Sequence, residues 1–272
     1  MFMHKIQKAG DYVLIKNYTP IGGGSGKRRK KEKPTSESRK RLNDKKRAEK
    51  IQLLILANFD EGFHVILDYP KDSRPTSYEE ADKNLTRFLY KMSRKYKKQQ
   101  KKFKYLATTE RGKRRAALHH HMIVDNTPGL VDDLTAEWGN HIKAFKMYED
   151  GAYKDLADYF VKAETKEELN AGKSRFHRSR NLISPLERTE KRDGSFKQEP
   201  KAPQGYRIIE GSLRNGYNER VGVRYQSYLL KKDEPRQQVR KSNQKEDKKC
   251  TIWESLRKIG SFLSKKKRSR NG

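Results

Sequence analysis

The chain has 272 residues, of which 65 are Lys or Arg and 35 are Asp or Glu, so its formal charge is +30 at pH 7. This charge far exceeds the roughly 2 to 8 units that keep a small domain in solution, and it predicts a polyanionic partner. One cysteine excludes an internal disulfide, and no apolar run reaches the about 20 residues that a membrane-spanning helix needs. We therefore expect a soluble, cytoplasmic protein and not an integral membrane protein.

Charge and composition divide the chain into four segments. Residues 1–35 hold a predicted strand at Asp11–Tyr18 and then a basic, glycine-containing arm. Residues 36–230 form the main folded domain, with accessory strands towards its end. Residues 231–250 are charged and poor in apolar residues, which predicts disorder. Residues 251–272 form a short basic amphipathic segment that could dock on the domain, on a partner or on an anionic membrane surface. The candidate phosphate contacts of the arm are Lys27, Arg28, Arg29 and Lys30.

Helix and strand patterns alternate in the first half of the folded domain. A basic amphipathic helix precedes Gly62–Tyr69, which alternates as a strand and carries His64 on its second face, where we assign it to packing. Thr76 and Glu79 predict a capping box that opens the next helix. Apolar residues then recur at helical spacing: Ala81, Leu85, Phe88, Leu89, Met92 and Tyr96.

Three consecutive histidines lie in Leu118–Val124, which reads as a strand. Because successive strand residues point to opposite faces, His119 and His121 share one face and could bind one metal ion from the same side. His120 points to the other face, and we predict that it packs there.

A hairpin could supply a third metal ligand. Phe103–Glu110 suits a strand, and Arg111–Arg115 suits a polar turn before the histidine strand. If Glu110 faces His119, its carboxylate joins the two imidazoles, although the strand register cannot be read from sequence. Two imidazoles and one carboxylate suit Mg²⁺ or Mn²⁺.

The candidate nucleophile lies further along the chain. A predicted helix at Tyr153–Glu164 follows another strand and places Tyr159 beside its apolar stripe, with Lys162 close by on the next turn. A phenolate can attack phosphorus, and an ammonium can offset phosphate charge. Tyr153 is the rival nucleophile, but it does not share a face well with Tyr159.

The remaining part of the domain is basic and rich in short strands. Ser174–Ile183 contributes Arg175 and Arg178 as candidate DNA contacts, and Pro203–Leu230 alternates strands with glycine turns. Interleaved tyrosines and arginines there could stack bases, or the segment could be a packed accessory hairpin. The spacing of the glycines does not form a phosphate-binding loop for ATP, so no nucleotide cofactor is expected.

The order of Glu110, the LHHHMIV strand and the ADYFVK helix resembles the HUH endonucleases. The similarity is to the single-tyrosine replication-associated proteins of Gram-positive rolling-circle plasmids, phages and integrative elements, and it covers about residues 10–230. These proteins usually have a hydrophobic residue in the middle of the histidine triplet, so His120 is a departure. The resemblance implies an α+β fold with an antiparallel, RRM-like sheet and the histidines on a central strand, and we expect helices to cover one face of it.

The resemblance also implies an activity, which is to nick and transfer single-stranded DNA at a replication origin. Mg²⁺ or Mn²⁺ on Glu110, His119 and His121 would polarise the scissile phosphate, and Tyr159 would attack it to form a 5′-phosphotyrosine. The released 3′-hydroxyl would prime rolling-circle synthesis by a host polymerase, with unwinding by a host helicase. The alternatives are an HUH relaxase or transposase with the same chemistry, and a catalytically inert nucleic-acid-binding protein.

Overall fold

The computed structural model describes residues 1–20, 36–59, 61–112, 117–147, 151–161, 176–219 and 222–233. The basic arm with Lys27, Arg28, Arg29 and Lys30, the two residues Lys162 and Arg175, and the segments after residue 233 lie outside the described residues. Among the helices that are described, none has the length and apolar character needed to cross a bilayer.

Four α-helices and eleven strands make up the described structure. The helices are α1 (Glu37–Asn58), α2 (Tyr78–Lys98), α3 (Leu130–Trp138) and α4 (Lys154–Phe160). The strands of the first two thirds are β1 (Phe2–Ala9), β2 (Tyr12–Tyr18), β3 (Phe63–Leu67), β4 (Tyr105–Arg111), β5 (Leu118–Val124) and β6 (Ile142–Lys146). The later strands are β7 (His177–Arg178), β8 (Leu186–Arg192), β9 (Tyr206–Ile208), β10 (Arg214–Asn218) and β11 (Val223–Lys232).

The described strands form two antiparallel sheets, in agreement with the expected α+β class. The first, here called the histidine sheet, has the order β6-β3-β5-β4-β7. Its middle strand β5 carries the three histidines, as predicted. The second, here called the accessory sheet, has the order β10-β11-β2-β1-β8, with β9 also paired to β11.

Helices cover both faces of the histidine sheet, so the expectation of a sheet covered on one face is wrong. Helices α2 and α3 pack on one face, through a cluster that includes Val65, Leu85, Met92, Met122 and Leu134. Helices α1 and α4 pack on the other, through a cluster that includes Ile55, Leu106, Ile123, Ala157 and Phe160. Strands β4 and β5 bury apolar residues on both faces, which requires a cover on each side.

The capping box of α2 lies one residue later than the sequence pattern indicated. The Ser77 hydroxyl accepts a hydrogen bond of 3.2 Å from the Glu80 amide, and the Glu80 carboxylate accepts one of 2.9 Å from the Thr76 amide. Thr76 with Glu79 and Ser77 with Glu80 both fit the motif. Burial of Tyr78 and Ala81 with Leu118 selects the second pair, because it sets which side of the helix faces the sheet. The six predicted apolar positions of α2 are all buried.

The accessory sheet joins the beginning and the end of the described chain and packs against α1. Strand β2 pairs with β1 on one side and with β11 on the other. Gly10, with φ of +59°, lies in the β1–β2 turn, where a Cβ atom would come within 2.8 Å of the Leu56 carbonyl oxygen of α1. Leu14, Leu53 and Leu229 belong to one cluster between this sheet and the helix. Strand β1 was not predicted, because lysines interrupt its apolar pattern.

Candidate metal and nucleophile site

Strands β4 and β5 pair in the register that the metal site needs. Glu110 lies directly opposite His119, and Thr108 lies opposite His121. One possible ligand atom each from Glu110, His119 and His121 all lie within 4.8 Å of one another. The predicted hairpin is thereby confirmed, and its three side chains form a candidate divalent-metal triad.

A hydrogen bond orients His119 for metal binding. Its Nδ1 lies 3.3 Å from the backbone carbonyl oxygen of Ala117. A carbonyl oxygen only accepts hydrogen bonds, so this contact places the proton on Nδ1 and leaves the lone pair of Nε2 for a ligand. Metal-binding histidines in proteins generally use such a partner on the second ring nitrogen.

His121 is oriented by another histidine, His64 of strand β3. The Nδ1 atom of His121 lies 3.1 Å from Nε2 of His64, and the two rings are tilted by only 22°. Burial and then the neighbouring His121 lower the pKa of His64 to about 3, so His64 is neutral at ordinary pH. A neutral His64 can accept the Nδ1 proton of His121, which leaves Nε2 of His121 towards Glu110, at 3.3 Å from its carboxylate.

The contribution of His64 was missed by the sequence analysis. The alternation in β3 correctly placed it opposite Val65 and Leu67, but we assigned that face to packing alone. The histidine sheet turns this same face towards the triad, and Ile66 of β3 pairs with His121. The register between β3 and β5, which no local pattern specifies, would have been needed to recognise His64 as part of the site.

His120 packs on the opposite face, as predicted, and it also anchors a polar network. It is fully buried, and its Nε2 and Nδ1 atoms lie 2.6 Å from the Tyr69 hydroxyl and 2.9 Å from the Thr109 hydroxyl. The indole ring of Trp138 contacts its ring edge to face. Burial, with the neighbouring histidines His119 and His121 as smaller causes, lowers the pKa of His120 to about 3. A neutral imidazole can donate to one hydroxyl and accept from the other, which satisfies both ring nitrogens.

The structure brings Tyr159 to the triad and leaves Tyr153 elsewhere. The Tyr159 hydroxyl donates to the Glu110 carboxylate and lies 2.5 Å from Nε2 of His121. Its ring contacts that of His121 edge to face, with centroids 4.6 Å apart. Tyr153 precedes α4 in a left-handed conformation, with φ of +58°, and is buried in the cluster that joins α1 and α4.

Of the predicted DNA-binding residues, the structure describes only Arg178. It is exposed on β7, the edge strand that pairs with β4 of the histidine sheet. No carboxylate among the described residues forms an ion pair with Arg178, so its guanidinium is available to a phosphate. Its role stays a prediction.

The site and the fold define a class, an antiparallel α+β sheet with a candidate metal triad and a tyrosine in contact with it. Residues 63–168 match the family model of the ORF2-type replication-associated proteins. This matched region runs from β3 through α4 and contains His64, the triad and Tyr159. The match supports a role in replication initiation. No curated protein and no solved structure gives a significant match to the chain.

The two faces of β5 lead to opposite expectations for its histidines. We expect His119→Ala and His121→Ala each to weaken Mn²⁺ binding at least tenfold, because each removes a direct ligand. His120→Leu should retain Mn²⁺ affinity but lower the free energy of unfolding by about 1 to 3 kcal/mol, because it leaves two hydroxyls without a partner. Electron paramagnetic resonance of free Mn²⁺ measures the affinity, and urea unfolding measures the stability. Equal losses of Mn²⁺ affinity in all three variants would contradict the assignment of the faces.

His64 should affect metal affinity without being a ligand. We expect His64→Leu to weaken Mn²⁺ binding by about 10- to 100-fold, the usual effect of losing the partner of a metal-bound imidazole. His64→Gln, which can restore an acceptor for the His121 proton, should recover part of the affinity. Ile66→Val, on the same face of β3, serves as the packing control. If His64→Leu binds Mn²⁺ like the Ile66→Val control, His64 has only a packing role.

Proposed function

We propose that this chain is an HUH-type endonuclease that nicks single-stranded DNA and transfers the strand to Tyr159, and so initiates rolling-circle replication. The observation that carries the proposal is the contact of the Tyr159 hydroxyl with both Glu110 and His121. A phenol at a metal triad has the geometry needed for attack on a phosphate bound there. The match to the replication-associated family supports the biological setting.

The donor set fits Mg²⁺ or Mn²⁺, and Glu110, His119 and His121 would hold the ion. Their ligand atoms converge within 4.8 Å, and hydrogen bonds fix the second nitrogens of both imidazoles. A divalent ion at this position would supply Lewis-acid polarisation of the scissile phosphate. An oxygen-rich substrate would complete the ligand set, as hard divalent cations prefer.

The chain's own residues account for the proton and the nucleophile. The Tyr159 hydroxyl already donates a hydrogen bond to Glu110, so the phenolic proton can pass to that carboxylate as the oxygen attacks phosphorus. A bond forms between the phenolic oxygen and phosphorus, and the bond from phosphorus to the 3′-oxygen breaks. The DNA 3′-oxygen leaves and takes up a proton. The 5′-phosphate stays on Tyr159, and attack by a 3′-hydroxyl can reverse the reaction or transfer the strand.

Basic residues around the site would bind the DNA backbone. Lys162 would offset phosphate charge near Tyr159, and Arg178 and Arg175 would extend the contact along the strand. The arm residues Lys27 to Lys30 would add affinity that does not depend on sequence. Without a phosphate-binding loop of its own, the protein would depend on a host helicase for unwinding and on a host polymerase for extension.

The identity of the nucleophile can be tested by removing one oxygen atom. Tyr159→Phe keeps the ring and its contact with His121, so DNA binding should persist while the covalent adduct disappears. Tyr153→Phe is the matched control and should form the adduct. The measurement incubates each protein with Mn²⁺ and labelled single-stranded DNA from the origin of its own replicon, followed by denaturing electrophoresis. A normal adduct yield from Tyr159→Phe would remove this residue from the mechanism and transfer the role to Tyr153.

The basic arm should contribute affinity without choosing the cleavage site. Changing Lys27, Arg28, Arg29 and Lys30 together to Gln should weaken binding to origin and non-origin strands alike. The slope of log affinity against log salt should flatten by up to roughly 2.8, at about 0.7 for each phosphate of the single strand that the arm no longer neutralises. Fluorescence anisotropy over a salt series measures the slope, and sequencing gels locate the nick. An unchanged slope together with nicks at new positions would show that the arm reads sequence.

A further inference from the structure

A polar pocket lies on the accessory sheet, on the face turned away from α1. His4, Asn17 and Gln226 line its floor from the adjacent strands β1, β2 and β11. Its volume is about 200 Å³, which corresponds to roughly seven water molecules at about 30 Å³ each. This size suits one planar ring and excludes a base pair. The three floor side chains are each less than 10% exposed, although none of them belongs to the histidine sheet.

Hydrogen bonds fix the orientation of every polar group on this floor. The Gln226 amide nitrogen donates to the backbone carbonyl oxygens of Lys197 and Gln198, at 2.9 and 3.0 Å. Its oxygen must then face Asn17, whose amide nitrogen donates to it at 2.9 Å. The Asn17 oxygen in turn faces His4 and accepts from Nδ1 at 2.7 Å. The relay therefore begins at backbone carbonyls, which can only accept, and ends by placing a proton on Nδ1 of His4.

The last atom of the relay has no protein partner. With Nδ1 protonated, the neutral His4 ring presents Nε2 as an acceptor, and no described residue donates a hydrogen bond to it. Three buried polar side chains thus serve to aim one acceptor nitrogen at the pocket. Such an arrangement is expensive to bury unless a ligand or water completes it.

The walls and rim of the pocket suit a nucleotide. Phe2, Phe196 and Tyr228 supply aromatic surface, and the rings of Phe2 and Phe196 meet edge to face with centroids 5.4 Å apart. Lys197 and Lys201 at the rim form no ion pair with any described carboxylate. No acidic residue lines the pocket, so it is unsuited to a metal ion. Aromatic surface beside unpaired cations is the usual means of holding single-stranded nucleic acid.

We infer that this pocket binds one unpaired nucleotide of single-stranded DNA, with the base against the aromatic walls and the phosphate at the rim. Every DNA base carries at least one N–H group, and Nε2 of His4 is placed to accept a hydrogen bond from it. The inference rests on the proposed function, because it supposes that the chain handles single-stranded DNA. It adds a second contact point, on the accessory sheet, where the strand is held while Tyr159 reacts elsewhere.

The test measures binding of a thymidine homopolymer to the full-length protein by fluorescence anisotropy. Phe196→Ala should raise Kd by about 5- to 150-fold, the usual value of one base stacked on an aromatic ring. Tyr90→Ala, which removes an exposed aromatic ring from α2, should leave Kd unchanged. The double variant Lys197→Gln/Lys201→Gln should flatten the salt slope more than Lys8→Gln/Lys191→Gln, a control with the same charge loss on exposed positions of the same sheet. Equal behaviour of the variants and their controls would overturn the proposal.

Two further measurements locate the base and separate this proposal from the proposed function. Light-induced crosslinking of iodouracil-containing DNA should attach to Phe196 or Tyr228, and mass spectrometry identifies the peptide. Attachment only to other residues would overturn the proposal. If abasic DNA binds as tightly as the homopolymer and inorganic phosphate competes with both, the rim is an anion site and no base is bound. Wild-type protein that forms the Tyr159 adduct in these preparations keeps the proposed function intact whichever way the pocket experiments turn out.

Discussion

The antiparallel register of β4 and β5 is the constraint on which the candidate site depends. Directly opposed residues of such a pair lie close enough for their side chains to meet, and here the opposed pairs are Glu110 with His119 and Thr108 with His121. A slip of one residue would turn Glu110 to the face of His120 and separate the carboxylate from both imidazoles. The register is held because apolar residues on both faces, such as Leu106 and Met122, are buried under helices. Packing on two sides therefore protects a polar arrangement on one.

Each chemical group of the site comes from a rigid element and has a second partner. Strand β3 provides His64 behind His121, the end of the β4–β5 hairpin provides the Ala117 carbonyl behind His119, and α4 brings the Tyr159 hydroxyl. Because these supports sit on elements that are packed against one another, the ligand atoms converge without a flexible loop. A constellation held in this way can accept a metal ion with little reorganisation, which favours tight geometry at the reacting phosphate.

Local patterns predicted most of what depends on neighbours along the chain. The strand alternation at the histidine triplet, the helical spacing from Ala81 to Tyr96, and the hairpin with Glu110 were all readable because burial imposes a period on each element. Pairings across long distances were not readable. The face of His64 was known, but only the pairing of β3 with β5 shows what that face touches. Likewise, nothing local to Asn17 indicates that it meets Gln226, 209 residues away, and covering the sheet on both sides depends on where α1 and α4 return.

The accessory sheet takes strands from both ends of the described chain, and this has a consequence for biosynthesis. Strands β1 and β2 leave the ribosome first, but their partner β11 is made only after the whole histidine sheet. The contact between Asn17 and Gln226 closes a loop that contains that sheet, and an ordered sheet shortens the effective length of the loop. The histidine sheet is therefore free to fold while translation continues, and the early hairpin must wait with an unpaired edge. The order of synthesis thus places the site-bearing half first and makes the accessory sheet the final step in closing the fold.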